Sequence, residues 1–177
     1  QVHQAVVATT GTVRLSAQGD LGLRDGGATA GSVATAGGAV LFTATTGNIR
    51  LGGSVATAGG VATFTAGTDI VMDSGAVVDS TSGTNEGAIA MTAARHIGVA
   101  VLRSDGTVAL TATAGAITDT QAGDVANIDG DAVLLRLAAA TGIGSGNAAL
   151  QTRVDTLQAI NTTSGGIFVR EATALTL

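Results

Sequence analysis

The chain contains no cysteine, proline, tryptophan, tyrosine or lysine, and these absences narrow the kinds of protein it can be. Without cysteine there are no disulfides. Without proline, a strand can pair on both edges and keep every ladder donor. Charged residues make up 12% of the 177 residues, against about 25% in an average soluble domain, which argues against disorder. The 45% hydrophobic residues and 27 glycines indicate a core of small aliphatic side chains joined by glycine turns.

Three further absences concern partners and location. The eight arginines are scattered and the net charge is -5, so the clustered cations of a nucleic-acid surface are missing and we predict no nucleic-acid partner. No apolar run reaches the roughly 18 residues of a membrane helix, so we predict no membrane insertion. Gln1 does not open a basic and apolar leader, so we expect a mature or excised piece of a longer product.

An internal repeat is the strongest positive signal in the sequence. The eight residues Gly31–Gly38 recur as Gly53–Gly60, a shift of 22. A looser form of this unit runs along the chain and is built around a central apolar residue. A small or aliphatic residue lies two positions before each centre. Another lies two positions after it in all units but the last. This period of two places one set of side chains on one face of a strand. The predicted central positions are Leu15, Phe42, Phe64, Met91, Leu110, Leu137 and Val169.

Each unit carries two more apolar positions, which predict two more short strands. One follows the centre by six or seven residues, after a small or polar corner: Leu21, Ile49, Ile70, Ile97, Ile117, Ile143 and Leu175. A weaker one precedes the glycine that opens each unit: Val6–Val7, Val33, Val55, Val77–Val78, Val101, Val125 and Val154–Leu157.

Three short strands per unit, with unit lengths that vary, are typical of a solenoid. Centres are spaced by 27, 22, 27, 19, 27 and 32 residues, which fits extra residues in outward loops around a constant core. We therefore predict an all-β fold, a right-handed parallel β-helix of about seven coils, with residues 1–177 as a single segment. The alternative is an antiparallel β-sandwich, which also has short strands and glycine turns.

The residues that could carry chemistry do not form a predicted site. His3 and His96 fall in different coils, and a metal centre needs several convergent ligands. Asp119, Asp124, Asp129 and Asp131 are close in sequence, but the Asp119–Asp131 region matches no calcium-loop pattern, and we interpret it as a solvated loop with calcium binding left open. We predict no catalytic, cofactor-binding or metal-binding residues, no cofactor and no enzyme activity.

Two alternative functions stay open at this stage. One is a carbohydrate-binding or carbohydrate-active β-helix domain, but carbohydrate-active β-helices need paired carboxylates or a cationic pocket and usually aromatic residues. A second alternative is binding of ice by a ladder of hydroxyls, because one outward row follows the central positions directly. That row is Ser16, Thr43, Thr65, Thr92 and Thr111, extended in part by Thr45 and Thr113.

The repeat unit, seen at Gly11–Leu23 as Gly-Thr-Val-Arg-Leu-Ser-Ala followed by Gly-Asp-Leu-Gly-Leu, resembles filamentous-haemagglutinin-like proteins. The stretches 140–147, 152–157 and 161–171 are similar to segments of giant repetitive bacterial surface adhesins. The resemblance implies a secreted or cell-surface bacterial protein that serves in adhesion, biofilm matrix or surface fibres. Cell-surface or glycan contacts through outer loops, for example residues 79–86, stay open.

The two ends of the chain suggest self-association. We see no amphipathic capping helix, and isolated solenoids need caps on their open strand edges. Joining Leu177 to Gln1 would separate Val169 from the next Leu15 by 23 residues, inside the range of the internal spacings. Head-to-tail stacking of copies and a simple cut from a longer solenoid, with neighbouring repeats in the same chain, are both consistent with this spacing.

Overall fold

A computed structural model describes residues 5–24, 31–83, 87–130 and 134–176 of the chain. Every element in these ranges is a β-strand, isolated bridge, turn or bend, and none is a helix. The strands in chain order are β1 Val6–Ala8, β2 Val13–Ala17, β3 Leu21–Leu23, β4 Ser32–Thr35, β5 Val40–Ala44, β6 Ile49–Leu51, β7 Ser54–Ala56, β8 Ala62–Ala66, β9 Ile70–Met72, β10 Val77–Asp79, β11 Ile89–Ala93, β12 Ile97–Val99, β13 Val101–Arg103, β14 Val108–Ala112, β15 Ile117–Asp119, β16 Ile128–Asp129, β17 Leu134–Ala139, β18 Leu150–Arg153, β19 Thr156–Asn161 and β20 Val169–Glu171.

These strands form three parallel sheets. Sheet 1 has the order β1-β4-β7-β10-β13-β16-β18-β20, sheet 2 the order β2-β5-β8-β11-β14-β17-β19, and sheet 3 the order β3-β6-β9-β12-β15. Isolated parallel bridges continue sheet 3 from Ile117 to Ile143 and from Ile143 to Ile167. The chain visits the sheets in the order 1, 2, 3 and returns one strand higher each time, for about seven turns. The predicted parallel β-helix is confirmed, and the antiparallel sandwich is excluded.

The central row of sheet 2 confirms the predicted stacking of like residues. Leu15 pairs with Phe42, Phe42 with Phe64, and Phe64 with Met91, and the row continues through Leu110 and Leu137. Most of these side chains are fully buried, and the rings of Phe42 and Phe64 meet edge to face with centroids 5.3 Å apart. Strict alternation in each strand drives this arrangement, because only every second side chain reaches the narrow interior.

The prediction for the last coil is wrong by one strand. The residue that pairs with Leu137 is Ala159 of β19, whereas Val169 lies in sheet 1 and pairs with Leu150. In sheet 3 the position predicted for Leu175 belongs to Ile167, which bridges to Ile143. The reason is that β19 holds a small Ala at its centre, while a glycine four residues before Val169 imitates the signal of the earlier units.

Sheet 1 also differs from the prediction in its later strands. Val6, Val33, Val55 and Val78 form its inward row as expected. The row then continues through Leu102, Ile128, Thr152 and Glu171. Val101 lies in β13 as predicted, but Val125 and Val154 lie outside the strands, and Leu157 stacks on Leu135 in sheet 2. Val125 and Val154 flank loops of irregular length, so spacing alone does not identify the strand.

A buried row of hydroxyls forms the corner between sheets 1 and 2. Thr35, Thr57, Ser80 and Ser104 occupy the same position in successive coils, each at most 5% exposed. Their hydroxyls donate to the carbonyls of the glycines that open the next strand, for example Thr57 Oγ1 to Gly60 O at 2.6 Å. Side chains are excluded at these glycines, because a Cβ on Gly38 would overlap the carbonyl of Gly11 in the coil below. The repeated Thr-Ala-Gly-Gly sequence at residues 35–38 and 57–60 forms this corner in its two coils.

Candidate functional site

A polar ladder runs along the corner between sheets 2 and 3. The Asp20 carboxylate accepts the backbone N–H of Asn48 at 2.8 Å, and Asn48 Oδ1 accepts that of Asp69 at 3.2 Å. Asp69 in turn accepts the N–H of His96, and His96 Nδ1 accepts that of Ala116, both at 3.0 Å. Each side chain therefore binds the next coil toward the C-terminus, and His96 carries its ring proton on Nε2 when it does so.

Within this ladder, Arg95 lowers the pKa of the Asp69 carboxyl. The guanidinium of Arg95 contacts both carboxylate oxygens of Asp69, at 2.6 and 3.1 Å. The hydrogen bond from Arg95, with help from the His96 N–H, holds the pKa of Asp69 below its ordinary value against the opposing effect of burial. His96 is exposed and also joins two coils through its hydrogen bond from Ala116. His3, the other histidine, lies outside the described residues.

The aspartates of the Asp119–Asp131 region point to different partners. Asp119 Oδ1 accepts hydrogen bonds from the Gln121 N–H and from Asn127 Nδ2. Asp124 lies 3.5 Å from Arg170, and Asp129 lies 3.8 Å from Arg153. No three acidic or histidine side chains converge as a metal site within the described residues, and Asp131 lies outside them.

Asn127 is the residue in this region that sequence reasoning missed. It is fully buried, and its amide donates to the carbonyls of Val99 and Ala100 and to Asp119. Its Oδ1 accepts the N–H of Gln151 in the next coil at 2.8 Å. The amide therefore satisfies four groups from three segments, which no single stretch of sequence reveals.

The loop before Asn127, residues 120–126, reaches back two coils. Thr120 Oγ1 donates to Met72 O at 2.8 Å, the Ala122 N–H donates to Ser74 Oγ, and the Gly75 N–H donates to Gln121 Oε1. These contacts join residues 46 to 48 positions apart, whereas the other corners join neighbouring coils. The loop is a strap across the side of the solenoid.

The predicted threonine row lies on the outer face of sheet 2. Ser16, Thr43, Thr65, Thr92 and Thr111 are in register on adjacent strands. The neighbouring outward row, one pleat away, is mixed in character: Arg14, Leu41, Thr63, Ala90, Ala109, Arg136 and Gln158. The hydroxyl array is therefore a single file rather than a broad flat lattice.

A shallow depression interrupts the same face near the C-terminal end. It has a volume of about 350 Å³ and is lined mainly by apolar groups around Ala138, which lies between Thr111 and Ile160 in its row, with Arg136 also in the lining. Ala138 is smaller than the residues above and below it in its row, which creates the depression. Its lining contains no carboxylate, so it holds none of the paired acids that glycoside hydrolysis uses.

The C-terminal end leaves core positions uncovered. In sheet 3 the inward residues Ile49, Ile70, Ile97, Ile117 and Ile143 are all 0% exposed, but Ile167, the last of the row, is 45% exposed. Phe168 beside it is 44% exposed. Ile167 is the last member of its row among the described residues.

Two polar side chains lie in the inward rows at this end. Asn161 follows Ala139 in sheet 2, and Glu171 follows Thr152 in sheet 1. The Glu171 carboxylate accepts hydrogen bonds from Thr152 Oγ1 at 2.6 Å and from Thr173, through its N–H at 2.9 Å and its Oγ1 at 2.6 Å. Burial raises the pKa of Glu171, but these bonds and one from Val154 outweigh it and leave the pKa below its ordinary value.

Comparison with protein-family models, with curated proteins and with solved structures found no match for this chain. The described residues include no helix long and apolar enough to cross a membrane.

Proposed function

We propose that the chain is a structural segment of an extracellular bacterial surface or biofilm-matrix fibre, in which the solenoid supplies length, stiffness and an adhesive outer surface. The observation that carries the proposal is the in-register stacking of three parallel sheets over all described coils. Each coil is held to its neighbours by strand pairing, by a filled aliphatic core and by polar ladders at the corners. A rod built this way transmits load along its axis through many parallel hydrogen bonds.

The surface chemistry supports a structural role as well. The ladder of Asp20, Asn48, Asp69 and His96 uses its polar side chains to join coils, and the carboxylates of Asp69 and Asp129 face arginines. These side chains are engaged in holding the rod together. The resemblance to haemagglutinin-like and giant adhesin repeats points to the same function and to secretion.

Labelling of intact source bacteria tests the proposal directly. We expect antibodies raised against the purified chain to label unpermeabilised cells or their matrix, and we expect the label to survive mild protease treatment because the coils are tightly packed. A control antibody against a cytoplasmic protein should label only permeabilised cells. Label that is found only after permeabilisation would contradict the extracellular role.

The two alternative functions make different predictions. An ice-binding face would produce thermal hysteresis, and we expect none, because a single file of hydroxyls beside Leu41, Ala90 and Ala109 does not order a broad layer of water. A carbohydrate-binding solenoid would retain specific oligosaccharides on a glycan array. Hysteresis that is lost in Thr92→Lys, or a glycan signal that is lost in Arg136→Ala, would replace the structural proposal with the corresponding one.

A further inference from the structure

One outer row of sheet 1 carries charges of alternating sign. In register on the adjacent strands β10, β13, β16 and β18 lie Asp79, Arg103, Asp129 and Arg153. We call these four residues the charged row. Among the strands that the structure describes, this is the one outer row that holds side chains of both signs.

The charged row is only partly neutralised within the chain. Arg153 Nε lies 3.8 Å from Asp129 Oδ1, a long distance for an ion pair, and these side chains remain 55% and 38% exposed. Arg103 lies between two aspartates but makes no ion pair with any residue that the structure describes. Asp79 uses Oδ1 to accept the N–H and Oγ1 of Thr81, at 3.0 and 2.7 Å, and its Oδ2 has no hydrogen bond to a described residue. Pairing of neighbours within the sheet therefore leaves both signs available on the surface.

The order of the signs makes the charged row complementary to its own reverse. The signs run minus, plus, minus, plus toward the C-terminus, and plus, minus, plus, minus in the other direction. Two copies that lie side by side with opposite directions therefore place unlike charges opposite each other at all four positions. Since strands in each sheet are about 4.8 Å apart, the intervals in the two copies match. Two copies in the same direction without a shift would bring like charges together at every position.

We infer that the charged row binds the charged row of a second copy of the chain, side by side and antiparallel. The two-fold axis crosses the row at right angles, midway between Arg103 and Asp129. Asp79 then faces Arg153 of the other copy and Arg103 faces Asp129, so each kind of pair occurs twice. The inference deepens the proposed function and rests on it for its biological use, because it names what holds two fibres together.

A second copy is favoured over other charged partners. The charged row holds two aspartates and two arginines, so it has no net charge, whereas a polyanion or a polycation is attracted by a patch of one sign. A partner must therefore present the opposite alternation at the spacing of strands in a sheet. The reversed row of this chain does so without a change of conformation.

The contact is weak in an isolated pair of chains. Exposed ion pairs contribute little individually, because water and salt screen them and long side chains lose freedom. Complementary charges mainly select the partner and its direction. In a fibre that repeats this unit, many such contacts are linked and act together. A weak contact between single chains is therefore enough to bundle fibres.

Sedimentation velocity of the purified full chain at two salt concentrations tests the inference. The Debye length is about 20 Å in about 20 mM salt and about 4 Å in about 500 mM, so we expect dimers at low salt and association about tenfold weaker at high salt. Small-angle scattering should show a dimer that is wider than the monomer and less than twice as long. Association that is insensitive to salt, or a chain that stays monomeric at about 1 mM and low salt, would overturn the inference.

Two matched variants locate the contact. Arg103→Asp makes the centre of the contact repel, because each new carboxylate faces Asp129 of the other copy, and should weaken association about tenfold or more. Arg14→Asp makes the same change at an exposed arginine on the outer face of sheet 2 and should leave association unchanged. Both variants lower the net charge of -5 by two, so an equal loss in both would reflect general repulsion and reject the charged row.

An exchange of two charges separates pairing between copies from pairing within the chain. Arg103→Asp combined with Asp129→Arg restores unlike charges across the antiparallel contact. Within one chain it places the new carboxylate beside Asp79 and the new guanidinium beside Arg153. We therefore expect association to recover while the thermal unfolding midpoint falls slightly. If association stays weak, the alternation serves the chain's own stacking or a parallel contact shifted by one coil, and the antiparallel pairing is wrong.

A milder variant and the surface labelling complete the test. Arg103→Gln removes the charge without adding repulsion and should weaken association about threefold, and an unchanged association would also reject the charged row. Circular dichroism checks that every variant keeps the solenoid. Pairing that depends on salt, without label on intact bacteria, would contradict the fibre and leave the pairing in place. Label on intact bacteria without pairing would do the reverse.

Discussion

The middle of the solenoid and its C-terminal end use the same row positions but fill them differently. From β5 to β14 the inward rows hold aliphatic, methionine or phenylalanine side chains that are almost completely buried. In the last coil the same rows hold Ala159, Asn161 and Glu171, and Ile167 is 45% exposed. One backbone geometry thus accommodates both aliphatic and polar side chains in its inward rows.

The largest expected contrast between these regions concerns the aromatic residues. Phe64→Ala should lower the free energy of unfolding by about 3–5 kcal/mol, because Phe64 is fully buried against Phe42. Phe168→Ala at the open end should cost only about 1 kcal/mol, since much of the ring already contacts water. Denaturant unfolding followed by circular dichroism measures both, and equal losses would mean that the end is as tightly packed as the middle.

The next contrast is between two asparagines that join coils. Asn127→Asp should destabilise by about 3 kcal/mol, because it removes two N–H donors and places a buried carboxylate beside Asp119 and two carbonyls. Asn48→Asp creates a similar repulsion with Asp20, but on an exposed corner where water screens it, and should cost about 1 kcal/mol. The same unfolding measurement applies. A smaller loss of unfolding free energy in Asn127→Asp than in Asn48→Asp would show that Asn127 does not anchor the strap.

Two glycines in one row provide a sharper test of stacking. A Cβ on Gly47 would overlap the backbone of Gly19 and Asp20 in the coil below, whereas a Cβ on Gly19 has no atom within 4 Å. Gly47→Ala should therefore cost about 2 kcal/mol, and Gly19→Ala should be nearly neutral. Thermal unfolding midpoints of the two variants are sufficient for the comparison. A neutral Gly47→Ala would show that the coils are further apart than described.

The smallest expected effect is a dependence on pH at the open end. The pKa of Glu171 is lowered in the folded chain, so its contribution to stability is present above the ordinary carboxyl pKa of 4.5 and is lost as the pH falls through the lowered folded value. Glu171→Gln should lower the thermal midpoint slightly at pH 7 and make the acid side of the stability profile flatter. An unchanged profile between pH 7 and 3 would mean that Thr152 and Thr173 do not stabilise the charge.

The sequence was most informative where the rows are aliphatic and regular. The alternation around Phe42, Phe64 and Met91 identifies a strand and its inward face directly, and the repeated Thr-Ala-Gly-Gly marks a corner. The prediction failed in the last coil for two reasons. The small central residue, Ala159, does not stand out from its neighbours in the sequence, and the glycine four residues before Val169 imitates the signal of a central position. The roles of Asn127 and Glu171 depend on partners from several coils, so composition and spacing carry no signal of them.

The strap formed by residues 120–126 has a consequence for the order in which the chain folds. Contacts elsewhere join one coil to the next, so structure can spread along the chain turn by turn. The strap instead ties Thr120 and Ala122 to Met72 and Ser74 and is held by Asn127, so it closes only when two earlier coils are already in place. In a chain that folds from its N-terminus, the strap would close after these two coils have formed. The coils before the strap would then no longer unfold independently of it.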